Sequence, residues 1–357
     1  MSRILYAASS MTHINNFHLP YIKALRDGGH EVKVMARGDG ADFDIPFEKK
    51  IFSPANAKCR KMIREIIKRE SFDAVILNTS LAAYHIRRAL PKKARPRVIN
   101  FVHGYLFSKK IKGLKERLLL IAEKSLRKRT DKILVMNSED AFIAKKWRLS
   151  ASDPIMTLGM GAVCKAESVS REEIRALLSA SDKTVLSFVG ELSGRKNQRM
   201  LIEALADLKK DVPNAVLWLV GEGTLRDELT ALSRRLKIED SVVFLGRRDN
   251  PCDFIRASDV YVSAARIEGM PFNIIEALGT GTPIVASAIK GHRDLLSGGA
   301  GVLYAEGDKD ALVRCVLGVL EGGEDTRMKA QDVYRRYSFD NVFGSTYKAM
   351  TEALFCE

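Results

Sequence analysis

Two carboxylates eight positions apart, Glu268 and Glu276, bracket the run Gly269-Met270-Pro271-Phe272-Asn273-Ile274-Ile275. Proline suits the first turn of a helix, where its missing N–H costs nothing. A helix opening at Pro271 turns its unbonded backbone N–H groups back onto the 269–273 loop. That end carries partial positive charge and holds a phosphate without a metal. Glu268 then sits in the loop and Glu276 on the first turns of the helix. Acceptors on either side of an anion-binding loop suit a molecule with hydroxyls at both ends and phosphates in the middle, which is the layout of a sugar nucleotide. By itself this spacing is the ordinary mark of a solvated loop and helix, so the weight falls on what surrounds it.

A strand at 259–263 precedes this stretch, and Gly279-Thr280-Gly281-Thr282-Pro283 and a strand at 284–287 follow it. That order sets the loop at the C-terminal edge of a parallel sheet, where α/β proteins bind ligands. The same sheet begins with a strand at 184–189. Gly190 follows, then Arg195 and Lys196, ahead of a helix over 198–210. This loop fits a diphosphate, although G-x-x-x-x-G-K-[ST] is not met, and it fits an ordinary basic helix N-terminus as well. The strand at 215–220 ends in Gly221-Glu222-Gly223. A helix over 226–236 leads to a strand at 242–245 and to Gly246-Arg247-Arg248, where either arginine suits a base or a phosphate. Downstream lie the run 290–295, a strand-like lid at 301–304 and a final helix over 339–354.

The first half opens with a buried strand at 3–8, a polar loop at 9–16 carrying His13, a helix over 17–27 closed by Gly28-Gly29, and a strand at 31–35. This βαβ opening lacks G-x-G-x-x-G, which argues against a nicotinamide enzyme. Strands follow at 74–77 and 97–102 with a helix over 82–90 between them, and His103-Gly104 stands at the end of the second strand. His103 there meets a ligand hydroxyl or phosphate, or is a satisfied turn histidine. Residues 109–132 read KKIKGLKERLLLIAEKSLRKRTDK, with Leu114, Leu118, Ile121, Ala122 and Leu126 at helical spacing amid Lys115, Arg117, Lys124, Arg127 and Lys128. A basic amphipathic helix of this kind lies on anionic lipid, packs on the sheet with a solvated basic face, or does both. A strand at 132–136 and a helix opened by the capping pattern at Asn137 complete this half. The Gly-rich stretch 156–163 and the charged, Ser-rich 165–182 mark a domain boundary.

The chain has 357 residues, enough for two domains, with 46% hydrophobic and 29% charged residues as in an ordinary soluble protein. A net charge of +14 calls for an anionic partner: nucleic acid, an acidic membrane or a phosphorylated ligand. No zinc-finger, homeodomain or RNA-recognition pattern is present, and the aromatics do not interleave with the basic run, which argues against nucleic acid. The five cysteines form neither a disulfide framework nor a C-x-x-C pattern, and the six histidines show no paired ligand spacing. No signal peptide and no apolar run of membrane-spanning length is evident. The expectation is a cytoplasmic protein, peripheral on the cytoplasmic face of the inner membrane.

The stretch from 189 to 296 resembles the donor site of retaining glycosyltransferases of family 4, and a thinner resemblance covers nearly the whole chain. Gly190-Glu191-Leu192 followed by Lys196-Asn197-Gln198 is similar to a subgroup associated with exopolysaccharide and capsular polysaccharide synthesis. The resemblance implies the α/β GT-B fold, two Rossmann-like parallel-sheet domains facing across a cleft. Residues 1–163 form an acceptor-binding domain, 164–337 a nucleotide-sugar-binding domain, and 338–357 a helix crossing back to the first. It implies that Glu276 holds the ribose hydroxyls and that Glu268 holds a hydroxyl of the transferred sugar. Gly269, Met270, Pro271, Phe272, Asn273 and Lys196 receive the diphosphate, the loops at Gly190, Gly221, Gly246 and Arg247 complete the nucleotide site, and His103, with His13, faces the sugar. His103, Glu268 and Lys196 are the catalytic candidates. Glu191 stands where the family places an arginine, and Arg195 is the substitute read here. The implied reaction is transfer from a nucleotide sugar, with UDP favoured, to a lipid-linked or surface-polysaccharide acceptor, with retention and with neither a metal nor a cofactor. Helix 113–129 is the implied contact with an anionic membrane. Sugar-nucleotide epimerases of the same fold, and a non-catalytic sugar-nucleotide-binding module, are the alternatives.

Overall fold

Runs of β-branched and aliphatic residues, buried on both faces, are what parallel strands require, and the described residues of this chain place thirteen strands in two sheets. The computed structural model describes residues 1–48, 51–91, 94–111, 113–322 and 326–355. It divides into one unit of Met1–Met160 with Val342–Glu357, and another of Gly161–Asn341.

In the first unit the strands are β1 (Arg3–Ala7), β2 (Glu31–Ala36), β3 (Phe43–Asp44), β4 (Ala74–Leu77), β5 (Arg97–Val102), β6 (Lys132–Val135) and β7 (Ile155–Met156). They lie in the order β3-β2-β1-β4-β5-β6-β7, every pair parallel. The helices are α1 (Met11–Phe17), α2 (Leu19–Asp27), α3 (Ala55–Glu70), α4 (Ser80–Ala89), α5 (Leu114–Ser125) and α6 (Ser138–Lys146). One core packs α3 and α4 on the sheet through Ile63, Ile67, Ala82 and Ile86. Strand order reverses about β1 and β4, so the loops after those strands splay apart and leave a crevice, the switch point of open α/β sheets.

Three expectations change here. The polar run after β1 is not a loop but helix α1, whose N-cap Ser10 accepts a hydrogen bond from the His13 backbone N–H. The single helix expected over 17–27 is instead α2, separated from α1 by His18, because Pro20 has no N–H to continue α1. In α5 the expected apolar face is split. Leu120 is buried, while Leu114, Leu118 and Ile121 are 73%, 48% and 54% exposed. Glu123 faces inward instead, because it pairs with the buried Arg87 at 2.8 Å.

In the second unit the strands are β8 (Thr184–Val189), β9 (Ala215–Val220), β10 (Val242–Gly246), β11 (Val260–Ser263), β12 (Ile284–Ser287) and β13 (Val302–Tyr304). Their order is β10-β9-β8-β11-β12-β13, again parallel, with the reversal between β8 and β11. The helices are α7 (Arg171–Leu177), α8 (Gln198–Leu208), α9 (Arg226–Arg235), α10 (Pro251–Arg256), α11 (Phe272–Thr280), α12 (Lys290–Leu296), α13 (Lys309–Leu320) and α14 (Arg327–Tyr337). The fully buried Trp218 and Val216 of β9 anchor one face of the sheet, and α8 and α13 cover the other through Leu201, Leu205 and Val316. The expected lid at 301–304 is β13, an edge strand in register with β12. Its Tyr304 hydroxyl donates to the Ser263 carbonyl at 3.0 Å.

The last helix, α15 (Phe339–Phe355), has most of its length in the first unit. There Thr346 donates to the Gly159 carbonyl at 2.7 Å and Tyr347 to the Ala24 carbonyl at 3.1 Å. The unit boundaries fall at 160/161 and 341/342, where the sequence reading has 163/164 and 337/338. Ala162 and Ser338, on either side of that reading, are bridged to each other.

Candidate active site

In the second unit, three loops at the C-terminal ends of β8, β9 and β10 lock together through glycines. Gly190 donates to the Val220 carbonyl, and Gly221 to the Gly246 carbonyl, both at 2.8 Å. Gly221 sits at φ +137°, and a Cβ there would lie 2.1 Å from the Gly190 carbonyl oxygen. Only glycine permits this backbone-on-backbone contact. The loop after β8 is further held by Gln198, which donates to the Glu191 carbonyl at 2.8 Å and accepts from Ser193 N at 3.2 Å. The Glu191 side chain itself is exposed. Arg247 is exposed too, and the neighbouring Arg248 lies over the Phe254 ring at 5.4 Å.

Across the switch point, the chain leaves β11 through Arg266 and Glu268 and turns at Gly269-Met270-Pro271 into α11. Pro271 is the N-cap at φ −83°, ψ 101°, one position earlier than the helical turn expected for it. An N-cap takes extended dihedrals while its carbonyl accepts the first helical bond, and the Pro271 carbonyl accepts from Ile274 N at 3.1 Å. Asn273 donates to the Val189 carbonyl at 2.8 Å, tying the start of α11 to the end of β8. Gly291 of α12 packs on the same turn so closely that a Cβ would lie 2.6 Å from the Gly269 carbonyl oxygen.

The charged groups converge on this frame. Lys196 Nζ lies 2.7 Å from Glu268 Oε1, with both side chains nearly buried, and Arg195 Nη1 lies 3.7 Å from Glu268 Oε2 at the exposed rim. The Lys196–Glu268 contact is an ion pair by distance whose geometry departs from that of a hydrogen bond, since Oε1 has no hydrogen-bond partner. Burial pushes the Glu276 carboxyl up to about 8; Cys252 adds to the shift, and Lys165 and Lys196 oppose it. At neutral pH Glu276 therefore carries a proton and both donates and accepts, which suits a pair of vicinal hydroxyls. Burial likewise lowers His292 to about 4, and its Nδ1 lies 2.7 Å from the Ser287 carbonyl. The set can bind a diphosphate through Lys196, Arg195 and the α11 N-terminus, and hydroxyls through the two glutamates.

His13 and His103 belong to the first unit, at its own switch point. They meet His18, and the three ring centroids are 4.9, 5.0 and 5.1 Å apart. Burial, and the mutual repulsion of charged rings, hold His18 and His103 well below the ordinary imidazole value; burial alone lowers His13 to about 4. The sequence reading found no ligand spacing among the histidines, yet these three come together, because α1, the α1–α2 junction and the end of β5 all reach one crevice. His18, Tyr6 and Asn78 here, and Arg266 and His292 in the second unit, were not singled out from sequence. Arg266 donates its backbone N–H to the Arg195 carbonyl at 2.9 Å and Nη2 to Asn197 Oδ1 at 3.3 Å. The available signals were the Phe17-His18-Leu19-Pro20 run and a cation two positions before Glu268.

Comparison with known proteins supplies the context. The family model described as "Glycosyl transferases group 1" matches residues 169–336, and "Glycosyltransferase Family 4" matches 21–155. The putative glycosyltransferase EpsD of Bacillus subtilis is 28% identical over 326 residues, 87% of this chain and 86% of that protein. The UDP-Gal:alpha-D-GlcNAc-diphosphoundecaprenol alpha-1,3-galactosyltransferase of Escherichia coli is 25% identical over 72% of this chain and 68% of its own length. Among solved structures, Anabaena HepE in complex with UDP and glucose superposes with a TM-score of 0.77 at 20% identity, covering 99% of this chain and 100% of that one.

Proposed function

Because the chain belongs to the glycosyltransferases that join a family 4 domain to a group 1 domain in a GT-B fold, we propose that it transfers a sugar from a UDP-sugar to a lipid-linked glycan, with retention, at the cytoplasmic face of a membrane. The observation that carries this reading is the meeting of Lys196, Glu268 and the α11 N-terminus at the β8/β11 switch point.

The chemical difficulty in such a transfer is the charge that develops on the nucleoside diphosphate as the glycosidic bond breaks. Lys196, Arg195 and the α11 N-terminus supply fixed positive potential where that charge appears, without a metal. Glu276, protonated, holds the ribose diol, and Glu268 holds a hydroxyl of the sugar while orienting Lys196. His103, neutral, meets the sugar with His13 beside it. The course proposed is same-face substitution through an oxocarbenium-like state, with a donor phosphate oxygen taking the acceptor proton. The acceptor class draws support from the Escherichia coli relative, whose name specifies a diphosphoundecaprenol acceptor. UDP draws support from that same name and from the UDP complex of HepE.

Membrane placement draws support from α5. Leu114, Leu118 and Ile121 form an exposed apolar stripe next to the exposed cations Lys115 and Arg117. A stripe of this kind makes peripheral contact with a lipid surface; among the described residues no helix is long and apolar enough to cross a membrane.

The deciding experiment is a calorimetric panel of UDP, GDP, ADP, TDP and UDP-sugars without added metal, on the parent chain and on Glu276→Ala. Micromolar binding of one nucleotide, lost in the variant, is the expected result. Equal affinity in both proteins would remove Glu276 from the donor site, and no binding by any member would remove the reading.

A further inference from the structure

We propose that Cys164 and Cys252 form an oxidisable dithiol, which a hydroperoxide converts to a disulfide; the site lies within the second unit and is independent of the transferase reading. The two are far apart in sequence, and Arg256 brings them to one place. Cys252 and Arg256 stand four positions apart on α10 and so share a face. Nη2 of Arg256 donates to Cys164 Sγ at 3.3 Å and to the Lys165 carbonyl, while Nη1 donates to Asp253 Oδ1 at 3.1 Å. Cys164 is held from its other sides as well. Its backbone N–H donates to the Tyr334 hydroxyl at 3.1 Å. Its Cβ packs on Gly279 of α11, where an added Cβ would lie 2.6 Å from it. Both residues are free thiols, and they are hydrogen-bonded to each other.

The surroundings give the two sulfurs different roles. The hydrogen bond from Cys252, together with the Arg256 guanidinium, holds the Cys164 thiol below its ordinary value against the effect of burial. The same hydrogen bond, with burial, pushes Cys252 up. Cys164 is only half-buried and Cys252 is fully buried. Cys164 is therefore the nucleophile that meets a small solute, and Cys252 the thiol that stays protonated behind it. Cys59 and Cys315 differ, since burial pushes both of their thiols up.

The chemistry balances with hydrogen peroxide as the oxidant. The Cys164 thiolate attacks one peroxide oxygen; an S–O bond forms, the O–O bond breaks, and hydroxide leaves to take up the proton that Cys164 had released. The Cys252 sulfur then attacks the Cys164 sulfur. The S–S bond forms, the S–O bond breaks, and the departing hydroxide takes the Cys252 proton. Two thiols and one peroxide thus give one disulfide and two waters, each sulfur losing one electron. Cys164 stands in an irregular segment ahead of α7, so it can turn to make the bond while α10 holds Cys252 in place.

The test exposes the reduced full chain to a small excess of hydrogen peroxide, blocks remaining thiols with N-ethylmaleimide and maps the peptides without reduction. The expected result is a peptide joining Cys164 to Cys252, lost on treatment with dithiothreitol. In Cys252→Ser, dimedone traps a sulfenic acid on Cys164. In Cys164→Ser, labelling of Cys252 falls at least 10-fold. Arg256→Gln, checked for native circular dichroism, slows oxidation of the pair about 10-fold, and Cys315→Ser leaves its rate unchanged. A parent chain without the Cys164–Cys252 link, a link that runs through Cys59, Cys315 or Cys356 in its place, or dimedone labelling in Cys252→Ser that is no faster at Cys164 than at Cys315, would overturn the proposal.

Discussion

The two switch points of this protein share a topology and differ in chemistry. In the second unit the loops after β8 and β11 bring a buried lysine onto a buried carboxylate, with an arginine at the rim. In the first unit helix α1, its junction with α2 and the end of β5 gather three neutral imidazoles. A parallel sheet fixes only where loops converge. The residue types in the loops then decide whether the crevice presents fixed charge or uncharged lone pairs, and with it whether the crevice favours a polyanion or hydroxyls.

Removing one group from each crevice separates them most sharply. Lys196→Met leaves the buried Glu268 with only Arg195 at the rim, 3.7 Å away, as its partner, which costs up to about 3–5 kcal/mol; chemical denaturation of the full chain should show that loss, with most of it regained in the double variant Lys196→Met, Glu268→Gln. His13→Ala strands no charge and should cost about 1 kcal/mol or less. Comparable losses from the two would mean that the lysine–glutamate pair is no more than a surface contact.

The next contrast is in glycine. Gly221→Ala forces a Cβ onto the Gly190 carbonyl at a positive φ and should destabilise by about 1–3 kcal/mol. Gly28→Ala in the first unit, at φ −74° with its nearest contact at 3.3 Å, should change stability by less than about 1 kcal/mol. Thermal unfolding of both variants reads this directly.

An effect spread along the pH axis, with a definite sign, comes from Glu276. Its folded carboxyl, raised to about 8, binds a proton that the unfolded chain has already lost above its ordinary value of 4.5. Stability therefore falls as pH rises between those values, by up to about 1.4 kcal/mol per unit from this group, and is flat above the folded value. Glu276→Gln removes the proton. Its stability relative to the parent should climb from pH 5 to pH 8; a difference constant across that range would show that the carboxyl is ionised throughout. Smallest of all, Leu118→Ser with Ile121→Ser should alter stability within about 0.5 kcal/mol while reducing flotation with anionic vesicles in low salt. Undiminished flotation would place any membrane contact elsewhere.

Much of the frame was legible in the sequence. The strands at 74–77, 97–102, 184–189, 215–220 and 284–287 are found at those bounds, because central parallel strands are short apolar runs stopped by polar or Gly/Pro residues. Residues chosen around Glu268 and Lys196 could be grouped because they are local to loops that follow such strands. What escaped is tertiary. Helix α1 hid in a polar run whose Ser10 cap and Pro20 break act together only once His18 is buried. The face of α5 was split because Glu123 has a partner, Arg87, on a different helix. The histidine cluster joins positions far apart in sequence, and no periodicity encodes that.

The last helix has a consequence for how the chain is made. Arg97 at the start of β5 donates to the Ala353 carbonyl at 2.8 Å, and Gly159 and Ala24 accept from Thr346 and Tyr347. The first unit to leave the ribosome is thus the last to be completed, since its closing segment is synthesised after the whole of the second unit. During that interval the surface reserved for Val342, Met350 and Ala353, all fully buried in the finished protein, is uncovered on the nascent chain. Premature termination near the C-terminus would injure the half of the protein encoded first and leave the half encoded second intact.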